Sequence, residues 1–325
     1  MNVRRRHISA GVIATATALA LGSLSACSSD SSAADGEGGK LDVVASFYPL
    51  QFLAEEIGGS HVSVNTLTEP GQEPHDLEIS AKQTAQLQES DVALYLKGLQ
   101  PSVDEAIGQS EVKAKVDAAT LTSLEKHGNE VGGHAAEHDE DEDEHGHDEE
   151  GSGLDPHIWL DPVKYAEVAE GVGKAFEKAD PDNAATYKKN TAALVKKLDG
   201  LDTRFEDGLR NTETKVFITT HAAFGYLAER YGLTEEAING LDPESEPSAN
   251  RVKDLEKMAK ADGVSTVFYE TLVSDKTAKT IAADADLRTD VLDPIEGITE
   301  KSRGDDYIQV MDANLKALRT ALGAK

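Results

Sequence analysis

The sequence predicts an α/β protein of two similar lobes with parallel β-sheets, joined by one long rigid helix. Three observations predict this architecture: an internal repeat of a strand, a turn and a helix; an apolar stripe at helical spacing between the two copies; and enough chain for two cores. The first 26 residues have the pattern of a signal peptide, and without them 299 of the 325 residues remain. A chain of that length can form two ordinary domains, each with its own core.

The internal repeat relates residues 43–58 to residues 217–232. Both copies begin with a run of β-branched and apolar residues, continue through a Leu-Ala-Glu segment and end on glycine. This pattern is typical of a strand, a turn and a helix that ends at the glycine. Because repeated β-α-β units produce parallel sheets, we assign one lobe to residues 41–180 and the other to residues 211–325.

The linking helix is predicted for residues 181–210. Asp180 and Pro181 suit the N-cap and first positions of a helix. The apolar stripe consists of Tyr187, Thr191, Leu194, Leu198, Leu201, Phe205 and Leu209. At 1.5 Å per residue such a helix spans roughly 40 Å, the length of a domain. A rigid helix of that length restricts hinge motion between the lobes.

The N-terminal segment predicts export and a lipid anchor. Residues 1–26 combine three arginines with an Ala-rich, uncharged run, the pattern of a signal peptide. The following Leu-Ser-Ala-Cys resembles a bacterial lipobox, in which the thiol of Cys27 receives diacylglycerol after cleavage. The alternative is an ordinary signal peptide with an incidental cysteine. Cys27 is the only cysteine, so no intramolecular disulfide is expected, and residues 27–40 are predicted to form a flexible tether.

The charge of the chain narrows the choice of partner. The formal net charge is -28, and removal of the three signal arginines makes it -31. A surface this acidic repels nucleic acid, so no nucleic-acid partner is expected. The field favours the approach of cations, although solubility alone would also account for the acidity.

Three histidines, each in a different short motif, predict a metal site. His75 lies in Glu-Pro-His-Asp, His157 in Asp-Pro-His-Ile-Trp-Leu, and His221 in Thr-Thr-His-Ala-Ala-Phe-Gly. Neutral imidazole is the commonest transition-metal ligand, and three imidazoles with one carboxylate complete a tetrahedral shell. His221 follows the first predicted strand of the second lobe, and parallel sheets bind ligands at the carboxyl ends of their strands.

A second histidine-containing segment, residues 127–150, is predicted to be a mobile loop. It contains eleven Asp or Glu residues and no Lys or Arg, so it cannot form an apolar core. Its histidines are His127, His134, His138, His145 and His147. We interpret the segment as a weak, exchanging metal collector that uses His134, His138, His145 and His147. A solvated acidic loop with incidental histidines is the alternative.

Taken together, these motifs carry a family resemblance. The lipobox, the Glu-Pro-His motif, the acidic loop, Asp-Pro-His-Ile-Trp-Leu-Asp-Pro, Thr-His-Ala-Ala-Phe-Gly-Tyr-Leu, the long helix and the Leu-Asp-Pro-Ile-Glu-Gly segment at 292–297 occur in this order. The chain resembles the metal-specific solute-binding lipoproteins of ABC importers, in the zinc-binding branch that includes ZnuA and AdcA. The resemblance covers essentially the whole chain after the tether.

The resemblance implies a function and a set of ligands. Metal would bind in the cleft between the lobes, held by His75, His157, His221 and Glu296, with Glu73, Asp293 or water as alternatives for the fourth position. The protein would be a monomer, lipid-anchored to the outer face of the cytoplasmic membrane. It would capture Zn²⁺ as the transported ligand and deliver it to an ABC transporter permease and its ATPase.

Two other functions, a zinc hydrolase and a manganese or iron importer component, fit the sequence less well. A zinc hydrolase needs three protein ligands, an open water position and a general base, and the His-Glu-x-x-His motif is absent from the sequence. We therefore expect that this protein is not an enzyme. A manganese or iron importer component would use more oxygen ligands, and the third histidine here favours zinc.

Overall fold

The computed structural model describes residues 39–128, 130–131 and 153–325. The predicted signal peptide at residues 1–26 and the lipidation site Cys27 lie outside the described residues. The four loop histidines assigned to metal collection also lie outside them, namely His134, His138, His145 and His147. None of the helices within the described part of the chain is long and apolar enough to cross a membrane.

The first half of the chain forms a four-stranded, fully parallel sheet of order β2-β1-β3-β4. Its strands are β1 (Leu41–Ala45), β2 (Val62–Thr66), β3 (Val92–Tyr95) and β4 (Ala114–Asp117). The helices of this half are α1 (Tyr48–Gly58), α2 (Ala81–Glu89) and α3 (Pro101–Gln109). Short 3-10 helices span Gly59–His61 and Ala118–Thr120. The predicted parallel sheet of the first lobe is confirmed.

Two long helices follow the first sheet. After a 3-10 turn at Ile158–Leu160, α4 spans Pro162–Ala179, and its N-cap Asp161 accepts backbone hydrogen bonds at the helix start. A further 3-10 turn at Pro181–Asn183 leads into α5, Ala184–Leu209. At 26 residues α5 is the predicted linking helix, and the 3-10 turn that precedes it contains Pro181, the residue predicted for the first helical position.

The second half of the chain forms a five-stranded sheet of order β5-β7-β6-β8-β9. Its strands are β5 (Glu130–Val131), β6 (Val216–Thr219), β7 (Thr234–Ala237), β8 (Thr266–Tyr269) and β9 (Arg288–Val291). Its helices are α6 (Gly225–Tyr231), α7 (Ala249–Ala261), α8 (Lys276–Asp284) and α9 (Tyr307–Ala321). Strands β6 to β9 are parallel, as predicted, but β5 pairs antiparallel with β7.

Strand β5 corrects the prediction in two respects. It comes from the segment that we expected to be a mobile loop, and it makes the second sheet mixed rather than purely parallel. The pairing satisfies backbone groups at the edge of β7, where Val131 lies opposite Glu235. A two-residue edge strand has too little sequence to produce a recognisable pattern.

The apolar stripe of the linking helix is buried along its whole length, as predicted. Helix α5 packs against α1, α4 and α9 and so contacts elements of both halves. One continuous hydrophobic cluster contains Val43 of β1 and Phe217 of β6. Their neighbours Val44 and Ile218 point to the opposite faces and belong to separate, smaller clusters.

This arrangement differs from the expected pair of independent cores. The largest cluster includes side chains from both sheets and from α5, and residues 40–325 form one compact unit. The apolar stripe of α5 packs against helices of both halves, so the two halves share the burial energy of the same helix. We therefore describe the lobes as two sheets on a common core.

Candidate metal centre

Four side chains predicted to bind metal meet between the two halves of the chain. His75 lies in the connection between β2 and α2, and His157 immediately precedes the 3-10 turn before α4. His221 comes shortly after β6, at the carboxyl end of that strand, and Glu296 follows β9. Each half thus contributes two of the four side chains.

The donor atoms are spaced for a tetrahedral ion. The Nε2 atoms of His75, His157 and His221 lie 3.2, 3.4 and 3.6 Å from Oε1 of Glu296, and the Nε2 atoms of His157 and His221 are 3.4 Å apart. All four donor atoms lie within 4.8 Å of one another. An ion held tetrahedrally at about 2.0–2.1 Å has ligand atoms about 3.3 Å apart. The observed separations match this value with little movement.

Of the four side chains in the centre, only that of His75 is partly exposed. The side chains of His157 and Glu296 are fully buried, and that of His221 is almost so, whereas 12% of the His75 side chain is exposed. Water and ions therefore reach the centre from the His75 side.

Two buried carboxylates orient the histidines from behind. Oδ1 of Asp155 lies 2.7 Å from Nδ1 of His157 and also accepts that residue's backbone N–H. Oε1 of Glu270 lies 2.9 Å from Nδ1 of His221 and accepts the hydroxyl of Thr220 at 2.6 Å. A carboxylate on Nδ1 holds the proton there and leaves Nε2 available to a metal.

These two supporting carboxylates were not identified from the sequence. Asp155 belongs to the Asp-Pro-His motif quoted above, two positions before the candidate ligand His157. That position in the motif was the signal that could have identified it. Glu270 directly follows β8, the strand that pairs with β6, and so lies at the same edge of the sheet as His221. No pattern in the sequence shows that β6 and β8 are neighbours.

Charges in the centre stabilise one another. Burial disfavours a charged imidazole at His157 and at His221, but the adjacent carboxylates Asp155 and Glu270 outweigh it and raise both pKa values. Burial likewise disfavours a charged Glu296, but hydrogen bonds from three imidazoles hold its pKa well below the ordinary value. A metal must displace protons from these imidazoles, so its binding is coupled to proton release.

Each alternative acid accepts a backbone hydrogen bond and lies outside the four-residue group. Oε1 of Glu73 accepts the backbone N–H of His75 at 3.0 Å, and burial, with the charge of Glu296, raises the pKa of Glu73 to about 9. In the metal-free protein this favours the neutral carboxyl, and Glu73 does not belong to the group of residues whose donor atoms lie within 4.8 Å of one another. Asp293 accepts the backbone N–H of Ile295 at 2.8 Å. Glu296 does not cap a helix, because the N-cap of α9 is Asp306.

A buried tryptophan connects the segments that carry His157 and Glu296. Nε1 of Trp159 donates to the carbonyl of Pro294 at 2.7 Å, and the hydroxyl of Tyr307 donates to the carbonyl of Trp159 at 2.5 Å. Between Pro294 and Glu296, Ile295 adopts a φ of 60°. This conformation is rare for a β-branched residue and costs on the order of 1–3 kcal/mol. This conformation places Glu296 against the three histidines.

His127 does not belong to a mobile loop, contrary to the prediction. Only 7% of its side chain is exposed, and its Nδ1 lies 2.7 Å from Oδ2 of Asp155. Its ring packs edge-to-face on Tyr226, with centroids 4.5 Å apart. Because the segment is so acidic, its composition did not indicate that His127 is held in place by the buried carboxylate of Asp155.

By sequence, the chain is similar to known zinc-binding and zinc-uptake proteins. Residues 43–321 match the sequence model of the family described as "ZnuA: Zinc-uptake complex component A periplasmic". The chain is 36% identical to the zinc-binding lipoprotein AdcA of Streptococcus pneumoniae over 287 residues, which is 86% of this chain and 56% of AdcA. It therefore spans little more than half of that relative. It is 34% identical to the high-affinity zinc uptake system protein ZnuA of Bacillus subtilis over 304 residues, 92% of each chain.

Solved structures agree with the sequence comparison. The zinc-bound ZnuA-like domain of Streptococcus pneumoniae AdcA superposes with a TM-score of 0.70 at 33% identity, covering 87% of this chain and 99% of that domain. A structure described as ZnuA superposes with a TM-score of 0.73 at 28% identity, covering 87% of this chain and 99% of the other. Since the family model matches residues 43–321 and the solved structures cover 87% of the chain, the chain belongs to the ZnuA family of zinc-uptake components.

Proposed function

We propose that this chain is an extracytoplasmic zinc-binding protein that captures Zn²⁺ and delivers it to an ABC importer. The observation that carries the proposal is the spacing of three imidazole nitrogens around one carboxylate oxygen, 3.2 to 3.6 Å, in a buried centre. The names of the relatives from Streptococcus pneumoniae and Bacillus subtilis, which describe zinc binding and zinc uptake, support it.

In this proposal His75, His157 and His221 supply nitrogen ligands and Glu296 supplies an oxygen ligand. One negative charge from Glu296 and the nearby charges of Asp155 and Glu270 compensate a dication in a centre that excludes most water. Three imidazoles favour zinc over manganese, which prefers oxygen ligands. Four protein ligands also leave no position for an activated water, so the geometry supports binding rather than hydrolysis.

A competition titration tests the choice of metal. We expect metal-free protein to bind one Zn²⁺ tightly and to prefer zinc to Mn²⁺ by at least about 100-fold, because nitrogen ligands dominate the shell. The measurement is zinc displacement from a chromophoric chelator, repeated with increasing Mn²⁺. Glu206→Ala, a change on an exposed face of α5, serves as the control and should leave the preference unaltered. Equal affinity for the two metals would favour the manganese or iron importer instead.

The proposed location rests on the N-terminal segment and on the relatives' names, which include "lipoprotein" and "periplasmic". In this proposal the thiol of Cys27 carries the lipid and holds the protein at the outer face of the cytoplasmic membrane, beside the permease and its ATPase. We expect labelled fatty acid to enter the wild-type protein and not the Cys27→Ala variant, while the zinc affinity of both stays the same. Equal labelling of the two proteins would exclude Cys27 as the attachment site.

A further inference from the structure

A second group of possible metal ligands lies apart from the centre described above. It consists of Glu125, His127 and Glu229, whose donor atoms lie within 4.8 Å of one another. Nε2 of His127 is 3.3 Å from Oε2 of Glu229, again the ligand separation of a tetrahedral ion. The three residues come from two distant parts of the sequence.

The imidazole of this group is held in place from three sides. Nδ1 of His127 lies 2.7 Å from Oδ2 of Asp155, so the proton stays on Nδ1 and Nε2 faces the two glutamates. The ring rests against Tyr226, whose hydroxyl donates to the carbonyl of Asp155 at 2.8 Å. At Gly225 a Cβ atom would lie 2.6 Å from the ring, so a residue with a side chain there would displace His127.

The two glutamates open the group to solvent. The side chains of Glu229 and Glu125 are 57% and 39% exposed, in contrast to the buried imidazole. Glu125 also pairs with Lys164, whose Nζ lies 2.8 Å from Oε1, and this cation reduces the negative charge available to a metal. Three ligands with one of them shared would bind zinc more weakly than four, and water would complete the shell.

Asp155 connects this group to the first centre. Its Oδ2 lies 2.7 Å from Nδ1 of His127, and its Oδ1 lies 2.7 Å from Nδ1 of His157. The carboxylate of Asp155 therefore orients one imidazole in each group. In both imidazoles Nε2 points away from Asp155, toward the carboxylate of its own group. Buried carboxylates in this position are the usual support of metal-binding histidines.

We propose that Glu125, His127 and Glu229 form a second, solvent-accessible site for Zn²⁺ that shares Asp155 with the buried centre. The site is weaker and exchanges metal faster than the buried centre, because two of its ligands are exposed and one is shared with a lysine. The inference does not depend on the transport function, since it concerns a second bound ion and not delivery to a permease.

The test counts zinc ions in a chain that lacks residues 132–150, which removes the other loop histidines and keeps the three ligands. We expect calorimetry to show two Zn²⁺ per chain, one tight and one weaker. Adding Glu229→Ala should leave one Zn²⁺, with the tight affinity changed less than about twofold because Glu229 does not touch the buried centre. Glu229→His, which retains a ligand, should keep two. Glu206→Ala is the matched control on an exposed helix face and should also keep two.

Either of two results would overturn the proposal. A single Zn²⁺ in the chain without residues 132–150 would assign all weaker binding to the loop. Two Zn²⁺ after Glu229→Ala would show that Glu229 is not a ligand. Cobalt absorption supplies a second measurement: the visible band of the second Co²⁺ should disappear in Glu229→Ala and persist in Glu229→His.

Discussion

Replacing His157 or His221 by alanine should weaken zinc binding by more than about 100-fold. Loss of an outer-shell partner alone usually costs about 10–100-fold in metal affinity, and here a direct nitrogen donor would be lost. Each substitution would also leave a buried carboxylate, Asp155 or Glu270, without its imidazole. The measurement is competition against a chromophoric chelator, with thermal melting to show that the variant is folded.

Two further variants give a graded series. Glu296→Ala should weaken zinc binding clearly but less than loss of a histidine, because water can occupy the vacated position. Glu270→Gln should cost about 10–100-fold, since it keeps the shape but removes the charge that orients His221.

Glu73→Gln is the matched control for this series. Because Glu73 lies outside the group of four donor residues, its replacement should change the affinity only slightly. An unchanged affinity in Glu296→Ala, together with a large loss in Glu73→Gln, would contradict the assignment and make Glu73 the fourth ligand.

Glu235→Gln should stabilise the metal-free protein by about 3 kcal/mol at pH 8 and by almost nothing at pH 4.5. Glu235 is fully buried in β7, and burial raises its pKa from 4.5 to about 7. Its Oε1 accepts the hydroxyl of Thr219 and the backbone N–H of Phe224, two bonds that a glutamine oxygen also accepts. The other oxygen, Oε2, has no hydrogen-bond partner among the residues that the structure describes.

The direction of the effect follows from proton binding. Because the folded pKa of Glu235 lies above the unfolded value, the folded chain binds the proton more tightly. Its stability therefore falls as the pH rises from about 4.5 through about 7 and then levels off. Glutamine does not titrate, so the variant avoids this loss. Urea unfolding at pH 4.5 and pH 8 measures this difference, with Glu206→Gln as an exposed control. Equal stabilisation at both pH values would contradict the assigned pKa.

Much of the fold was predictable because its signals are local. The spacing of apolar residues from Tyr187 to Leu209 depends only on the helical period, and it correctly identified the linking helix. The repeated strand, turn and helix likewise predicted two sheets. In the second half the first helix ends at the predicted glycine, Gly232, which has a φ of 61°. In the first half the predicted glycine, Gly58, is the last helical residue, and the positive φ of 55° falls on Gly59.

The candidate site was predictable only in part. The motifs around His75, His157 and His221 identified side chains that the structure places around Glu296. Their metal role stays a prediction. The supporting residues Asp155 and Glu270 were missed, because a role in orienting another side chain leaves no pattern of its own.

The sequence by itself determined the repeated strand, turn and helix, the long helix and the histidines to consider, because periodicity, turn residues and short motifs act within a few positions. Only the tertiary structure decided which distant groups meet. It placed the antiparallel strand Glu130–Val131 on the second sheet, merged the expected two cores and set His127 against Asp155. These contacts join residues far apart in the chain. Their energies come from packing and burial in the folded protein, so no local sequence pattern predicts them.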